Sequence, residues 1–188
     1  MKPILQVEDD PNDVFFLQKA MKKAGVANPI QVARDGRQAI DYLQGDGKFA
    51  DRVKFPLPCL VLLDLKLPYV MGLDVLRWIR QRAAPATVVL LLTASGEDAD
   101  IAAAYRLGAN GFLVKPSEAG QLEVMAKAIK DFWLTHNKLP QESAESPLEG
   151  AVSLADSHAN PSTAADARPP WPREPAGWKT VQALQTEG

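Results

Sequence analysis

The chain of 188 residues has few of the side chains from which disulfides, Cys/His metal clusters and catalytic triads are built. Cys59 is its only cysteine, and its two histidines, His136 and His158, lie far apart in the sequence. An internal disulfide and a cysteine-based metal cluster are therefore excluded, and neither histidine suggests a metal site or a triad. Cys59 opens an apolar segment, which indicates an inert thiol in the core.

Long apolar runs and basic charge are lacking as well. No run approaches the 18 residues of a membrane span, and the start MKPILQVEDD has no signal-peptide h-region. The formal net charge of −2 argues against a nucleic-acid binder, and no glycine-rich nucleotide motif is present. We therefore expect a soluble cytoplasmic protein that binds neither membrane, nucleic acid nor nucleotide.

Proline is concentrated at one end of the chain. Residues 141–188 hold six of the fifteen prolines, are rich in Ala and Ser, and carry more acids than bases. Such a composition buries too little apolar surface to offset the entropy lost on ordering. We predict a folded domain over residues 1–139 and a disordered acidic tail over residues 140–188.

The first region alternates short apolar runs with helical patterns. Leu122, Met125, Ile129 and Phe132 share the spacing of one helix face, and Asp10 with Pro11 marks a helix start. The third and fourth strands are continuously apolar, as buried parallel strands are. The pattern predicts an α/β fold with a doubly wound five-stranded parallel sheet and five helices. The predicted strands are Ile4–Val7, Ile30–Ala33, Leu60–Leu63, Val88–Leu92 and Phe112–Val114.

Polar residues follow four of these strands. Ligands bind beyond the carboxyl ends of strands in open α/β sheets, so these side chains are expected to share one cleft. Clustered carboxylates suit Mg²⁺, and an aspartate can attack phosphorus to form an aspartyl phosphate. Taken singly, each has a bland alternative, as cap, turn residue, strand-end hydroxyl or solvated lysine. Their coincidence at the strand ends favours a phosphoryl site made of Glu8, Asp9, Asp10, Asp64, Thr93 and Lys115.

Four segments of the chain resemble the receiver domain of two-component signalling. They are VEDD at 7–10, LLDLKLPYVMG at 62–72, LLTAS at 91–95 and GANGFLVKPSE at 108–118, and the resemblance runs from about residue 2 to 137. It implies a flavodoxin-like fold with strand order 2-1-3-4-5. It also implies a response regulator that takes a phosphoryl group from a histidine kinase in a Mg²⁺-dependent reaction and signals through a changed protein-binding face.

The resemblance also implies a role for individual residues. Asp64 is the phosphoacceptor, and Mg²⁺ is held by Asp9, Asp64 and the backbone carbonyl of Lys66, with Glu8 in support. Phosphoryl binding and switching fall to Thr93, Ala94, Lys115 and Phe112. The Lys115–Pro116 bond is expected to be cis, as is tolerated only before proline.

A narrower resemblance is to the stand-alone receivers associated with bacterial and cyanobacterial phytochrome kinases. It rests on DPNDVFFLQKAMKKAG at 10–25, the long connection at 41–58 and HNKLP near the domain end. It implies a phytochrome-type kinase partner and a homodimer through helix four, strand five and helix five. Lys66, two residues after Asp64, is predicted to shield the phosphoryl group from water and lengthen its lifetime.

Two other functions compete with this interpretation. A phosphate-independent receiver-like binding module would need none of the acidic residues, whereas the set is complete here. An aspartate-nucleophile phosphatase would need a second acid two residues after Asp64, where Lys66 stands. The tail is too rich in proline and acids for a helix-turn-helix output domain.

Overall fold

The computed structural model describes residues 1–83, 87–94 and 96–138. Strands and helices alternate along this part of the chain. A 3₁₀ turn at Gly47–Phe49 and π-helical turns at Ile79–Ala83 and Lys130–His136 complete it. The main elements are β1 Ile4–Val7, α1 Pro11–Lys23, β2 Ile30–Ala33, α2 Gly36–Gln44, β3 Leu60–Leu63, α3 Gly72–Trp78, β4 Val88–Thr93, α4 Asp98–Arg106, β5 Gly111–Val114 and α5 Ala119–Ile129.

The five strands form one parallel sheet in the order β2-β1-β3-β4-β5. Every residue of β1, β3 and β4 is buried, whereas β2 and β5 at the edges are partly exposed. This burial explains why β3 and residues Val88–Leu92 of β4 are continuously apolar, whereas β1 carries the buried Gln6. The predicted fold class and strand order are confirmed.

Each face of the sheet carries its own hydrophobic cluster. Alternate residues such as Leu5 and Leu63 pack against α2, α3 and α4, while Ile4 and Leu62 pack against α1 and α5. The period of two along each strand separates the clusters, so the sheet is covered on both faces. A doubly wound sheet of this kind leaves the carboxyl ends of its strands uncovered.

The start of α1 follows the prediction. The side chain of Asp10 accepts a hydrogen bond of 2.7 Å from the backbone N–H of Asn12, and Pro11 occupies the first helical position. An N-cap of this type satisfies an amide that the helix itself leaves free. The chain is therefore turned into α1 directly after the acidic residues that follow β1.

The predicted face of the last helix needs one correction. Ile129 is 3% exposed, but Phe132 is 56% exposed and does not share its face. The backbone changes from α to π geometry at Lys130–His136, which rotates the following side chains away from the 3.6-residue spacing. Trp133 and Leu134 take the expected place against the core.

Arg52 helps to fix the connection from α2 to β3. Arg52 donates hydrogen bonds to the backbone carbonyls of Tyr42, Leu43 and Phe55 at 2.7–3.2 Å. It thereby satisfies carbonyls that the end of α2 leaves free.

In the part of the chain that the structure describes, no helix is long and apolar enough to cross a bilayer. The predicted tail, residues 140–188, lies outside that part.

Candidate functional site

Four strands end at one edge of the sheet and bring polar side chains together. Glu8 follows β1, Asp64 follows β3, Thr93 ends β4 and Lys115 follows β5. The Lys115 ammonium contacts the carboxylates of Glu8 and Asp64, and its backbone N–H donates to the Thr93 carbonyl at 2.7 Å. Thr93 itself is 1% exposed. The structure therefore brings these four residues together at the carboxyl ends of the strands.

Lys115 is the centre of this site. Its Nζ lies 2.8 Å from Asp64 Oδ2 and 2.8 Å from Asp13 Oδ2, and it also donates to Glu8 Oε2. The side chain is 12% exposed. An ammonium has three N–H donors, so each of them is used by a different carboxylate.

Burial and these contacts act in opposite directions on the two charges. Burial is the main cause that raises the pKa of Glu8 to about 7, against the hydrogen bond from Lys115, which lowers it. Burial alone would lower the pKa of Lys115, but hydrogen bonds to Asp13, Asp64 and Glu8 outweigh it and raise that pKa. The ammonium is therefore charged at neutral pH, and this single cation is surrounded by three acidic side chains.

The backbone around Asp64 fixes its carboxylate. Oδ1 accepts a hydrogen bond of 3.2 Å from the N–H of Lys66, and the N–H of Asp64 donates to the Val7 carbonyl at 3.1 Å. A Cβ on Gly72 would lie 2.0 Å from the Asp64 carbonyl oxygen. Only glycine, which has no Cβ, lets α3 begin so close to this backbone. The start of α3 therefore packs directly against the backbone of Asp64.

The other predicted site residues lie around this centre. Asp9, Lys66 and Ala94 are exposed at the same edge, and Phe112 is half-buried against the cluster beneath α2, α3 and α4. They are thus close to the site in the fold, but the side-chain hydrogen bonds and ion pairs of Lys115 go to Glu8, Asp13 and Asp64 and not to these four. Their predicted roles stay predictions.

The donor set has the chemistry that a hard divalent cation requires. Carboxylate oxygens and a backbone carbonyl are ligands of Mg²⁺, and excess negative charge favours a cation. Within residues 1–83, 87–94 and 96–138, however, no three acidic, histidine or cysteine side chains are arranged to hold a metal. Glu8 and Asp64 are directed onto Lys115 instead. The residues fit Mg²⁺ in type and charge.

The expected cis bond is wrong for this structure. The peptide bond between Lys115 and Pro116 is trans, as are all peptide bonds of the described residues. The trans form of an X–Pro bond is favoured by roughly 0.5–1 kcal/mol. The Lys115 ammonium reaches its three carboxylates from this backbone, so the cis form is not needed to direct it into the site.

Asp13 is the site residue that the sequence patterns did not single out. It lies in the first turn of α1, where an acid is favoured by the helix dipole whatever else it does. The signal was its position five residues after Glu8, one turn into a helix that starts at the acidic cluster. Without the fold, that position could not be told from an ordinary helix-start acid.

Comparison with known proteins places this site in a family. Residues 4–127 match the model of the response regulator receiver domain. The chain belongs to this family. Its strand order agrees with that assignment.

Two relatives match almost all of the described domain. The chain is 37% identical over 141 residues to the probable methanogenesis regulatory protein FilR2 of Methanothrix harundinacea, which covers 73% of this chain and 86% of FilR2. It is 35% identical over 140 residues to response regulator Rcp1 of Synechocystis sp., which covers 74% of this chain and 93% of Rcp1.

Solved structures agree with these relatives. The phosphorylated cyanobacterial phytochrome response regulator RcpA superposes with a TM-score of 0.69 at 33% identity, over 74% of this chain and 99% of RcpA. The Mn²⁺-bound form of Rcp1 superposes with a TM-score of 0.68 at 34% identity, over 75% of this chain and 100% of Rcp1. The predicted likeness to phytochrome-associated response regulators is confirmed.

Proposed function

We propose that this response regulator accepts a phosphoryl group on Asp64. The observation that carries the proposal is the contact of 2.8 Å between Asp64 Oδ2 and Lys115 Nζ at the end of a fully buried strand. A carboxylate oxygen held in this way is preorganised for in-line attack on phosphorus. When the donor is a phosphohistidine, the P–N bond breaks, a P–O bond to Asp64 forms, and the histidine nitrogen keeps the electron pair.

The chain's own residues stabilise the charge that this transfer brings. Lys115 donates to a phosphoryl oxygen, and Thr93, at the end of β4, donates its hydroxyl to another. Ala94 is small enough to leave room for the donor. Phe112 repacks with Thr93, so that the face formed by α4, β5 and α5 changes its affinity for partners.

The cation proposed for this site is Mg²⁺. Asp9, Asp64 and the carbonyl of Lys66 would hold it, with Glu8 in support, and the donor chemistry described above favours it. A bound divalent cation neutralises the carboxylates and the charge on the phosphoryl oxygens. The Mn²⁺-bound form of Rcp1 supports a divalent cation here.

The proposed partner is a histidine kinase of the phytochrome type, and the likeness to RcpA and Rcp1 supports it.

We further propose a homodimer through the face of α4, β5 and α5. Each of these elements exposes a large apolar side chain: Tyr105 is 53% exposed, Val114 51% and Val124 70%. Such side chains favour a protein contact over solvent. The proposed setting is the cytoplasm, with output through protein contacts and not through DNA.

The proposal is tested by the intact mass of the full chain after treatment with acetyl phosphate. We expect one phosphoryl adduct that requires Mg²⁺, is lost in EDTA and is absent in Asp64→Asn. If no adduct forms, transfer from a phosphorylated histidine kinase becomes the deciding measurement. A chain that stays unmodified in both assays, or an adduct that persists in Asp64→Asn, would overturn the proposal.

A further inference from the structure

The three carboxylates that bind Lys115 differ in their access to water. The side chain of Glu8 is 4% exposed, that of Asp64 is 11% exposed and that of Asp13 is 42% exposed. Asp13 is also the one that comes from a helix and not from a strand end. It is therefore the acceptor that can be hydrated without moving the sheet.

A phosphoryl group on Asp64 needs a hydrogen bond from Lys115, whose three N–H groups already donate to carboxylates. One acceptor must therefore be released before a phosphoryl oxygen can be bound. Releasing Glu8 would leave a buried carboxyl group without its partner, which is costly. Asp64 carries the phosphoryl group itself and passes on only its own donor, so Glu8 or Asp13 must leave before Lys115 can donate a second hydrogen bond to that group. Releasing Asp13 costs least, because water replaces the lost hydrogen bond.

We infer that Asp13 is a positioning residue that holds Lys115 in the unphosphorylated state and gives way to the phosphoryl group. The inference rests on the proposed function of Asp64. Asp13 then has two opposite effects on the site. Its charge attracts the divalent cation before transfer, and its hydrogen bond competes with the phosphoryl oxygen for Lys115 after transfer.

Asp13→Asn separates these effects, because it removes the charge and weakens the hydrogen bond without changing the shape of the side chain. We expect Mg²⁺ to bind about two- to fivefold more weakly, the range of an exposed charge pair. At saturating Mg²⁺ we expect the phosphoryl analogue beryllofluoride to bind about two- to fivefold more tightly, for the same reason. Both dissociation constants are measured by titration calorimetry on the full chain.

The matched control is Asp74→Asn, which removes a charge from the first turn of α3, at the same end of the sheet. Asp74 forms an ion pair with Arg77 and not with Lys115. We expect this variant to leave the beryllofluoride affinity within about twofold of the unsubstituted chain, since exposed charges contribute little. Any change it causes in Mg²⁺ affinity measures the general effect of charge at this end of the sheet.

Opposite shifts in the two constants for Asp13→Asn, with only a small shift for Asp74→Asn, support the inference. A merely structural role of Asp13 would weaken both ligands, and that result would overturn it. An unchanged beryllofluoride constant would overturn it too, while leaving Asp64 as phosphoacceptor. If the unsubstituted chain binds no beryllofluoride and forms no phosphoryl adduct, the proposed function itself fails, and the inference with it.

Discussion

Two cationic side chains lie at opposite ends of the strands, Lys115 at the carboxyl ends and Arg80 at the amino ends. Each is bound by three oxygen atoms. Lys115 follows β5 and is bound by the carboxylates of Glu8, Asp13 and Asp64. Arg80 lies where α3 ends, at the edge where β4 and β5 begin. It donates from Nε to the Gly108 carbonyl at 2.8 Å, from Nη1 to the Thr87 carbonyl at 2.9 Å and from Nη2 to Asn110 Oδ1 at 2.7 Å.

The difference lies in the charge of the acceptors. The acceptors of Arg80 are neutral carbonyl oxygens in the turns before β4 and β5, and the planar guanidinium matches them in a fixed fork. Burial lowers the pKa of Arg80, and no acid compensates it among the three acceptors. Lys115 has more negative charge around it than it can neutralise. The hydrogen bonds of Arg80 are therefore expected to be permanent, whereas Lys115 is expected to exchange one of its partners.

The largest effect is expected at Lys115. Lys115→Met should slow adduct formation from acetyl phosphate about a hundredfold, the usual scale for loss of a group that stabilises developing charge. The rate is followed by intact mass at saturating Mg²⁺. Lys54→Met is the control, because Lys54 is an exposed lysine on the connection between α2 and β3. A rate for Lys115→Met within twofold of that control would contradict the assigned role.

The second effect is expected at Arg80 and should appear in stability alone. Arg80→Met should lower the free energy of unfolding by about 2 kcal/mol, because three hydrogen bonds from one charged group are lost. Urea titration measures this, and the folded variant should form the phosphoryl adduct at the normal rate. Arg77→Met, which removes only an exposed pair with Asp74, should cost less than about 0.5 kcal/mol. Equal losses in the two variants would remove the distinction between Lys115 and Arg80.

The third effect concerns Gln6, a buried polar side chain that lies away from both Lys115 and Arg80. Gln6 is 1% exposed in the middle of β1, and neither its amide oxygen nor its amide nitrogen has a hydrogen-bond partner among the described residues. Gln6→Met keeps the shape and removes the buried amide, and it should raise the free energy of unfolding by about 1 kcal/mol. Gln121→Met on the surface should change it by less than about 0.5 kcal/mol. A loss of stability in Gln6→Met would show that the amide is satisfied in solution.

The smallest effect is expected from Lys66, exposed next to Asp64. Its backbone N–H donates to Asp64 Oδ1, while the side chain is free to cover a phosphoryl group from solvent. Lys66→Ala should shorten the half-life of the phosphorylated chain about twofold, the scale of an exposed charge interaction. Decay is followed by intact mass after removal of acetyl phosphate, with Lys54→Ala beside it. An unaltered decay rate would refute the shielding hypothesis.

The sequence predicted the fold well because strand burial and helix starts are local properties. The continuously apolar β3 and β4 and the Asp10–Pro11 helix start required no knowledge of distant contacts. The meeting of Asp64 and Lys115 could be predicted as well, because the carboxyl ends of parallel strands lie on the same side of the sheet.

What the sequence could not show depends on three-dimensional contacts. Asp13 joins Lys115 only because the fold brings the first turn of α1 next to the residue that follows β5, and an acid in a first helical turn is expected in any case. The exposure of Phe132 follows from a π turn that the regular spacing of apolar residues does not reveal. The isomer of the bond before Pro116, which is trans, could not be read from the sequence, because an X–Pro bond adopts either form.

The close approach of Gly72 to Asp64 has a counterpart that matters for protein engineering. A Cβ on Gly36 would lie 2.1 Å from the carbonyl oxygen of Val70, so the loop between β3 and α3 is held at both ends by backbone against glycine. Leu65 and Leu67 anchor the loop in the core as well, whereas Lys66, Pro68 and Met71 are exposed. The exposed positions of this loop can therefore be substituted beside Asp64, provided that the two glycines and the two buried leucines are kept.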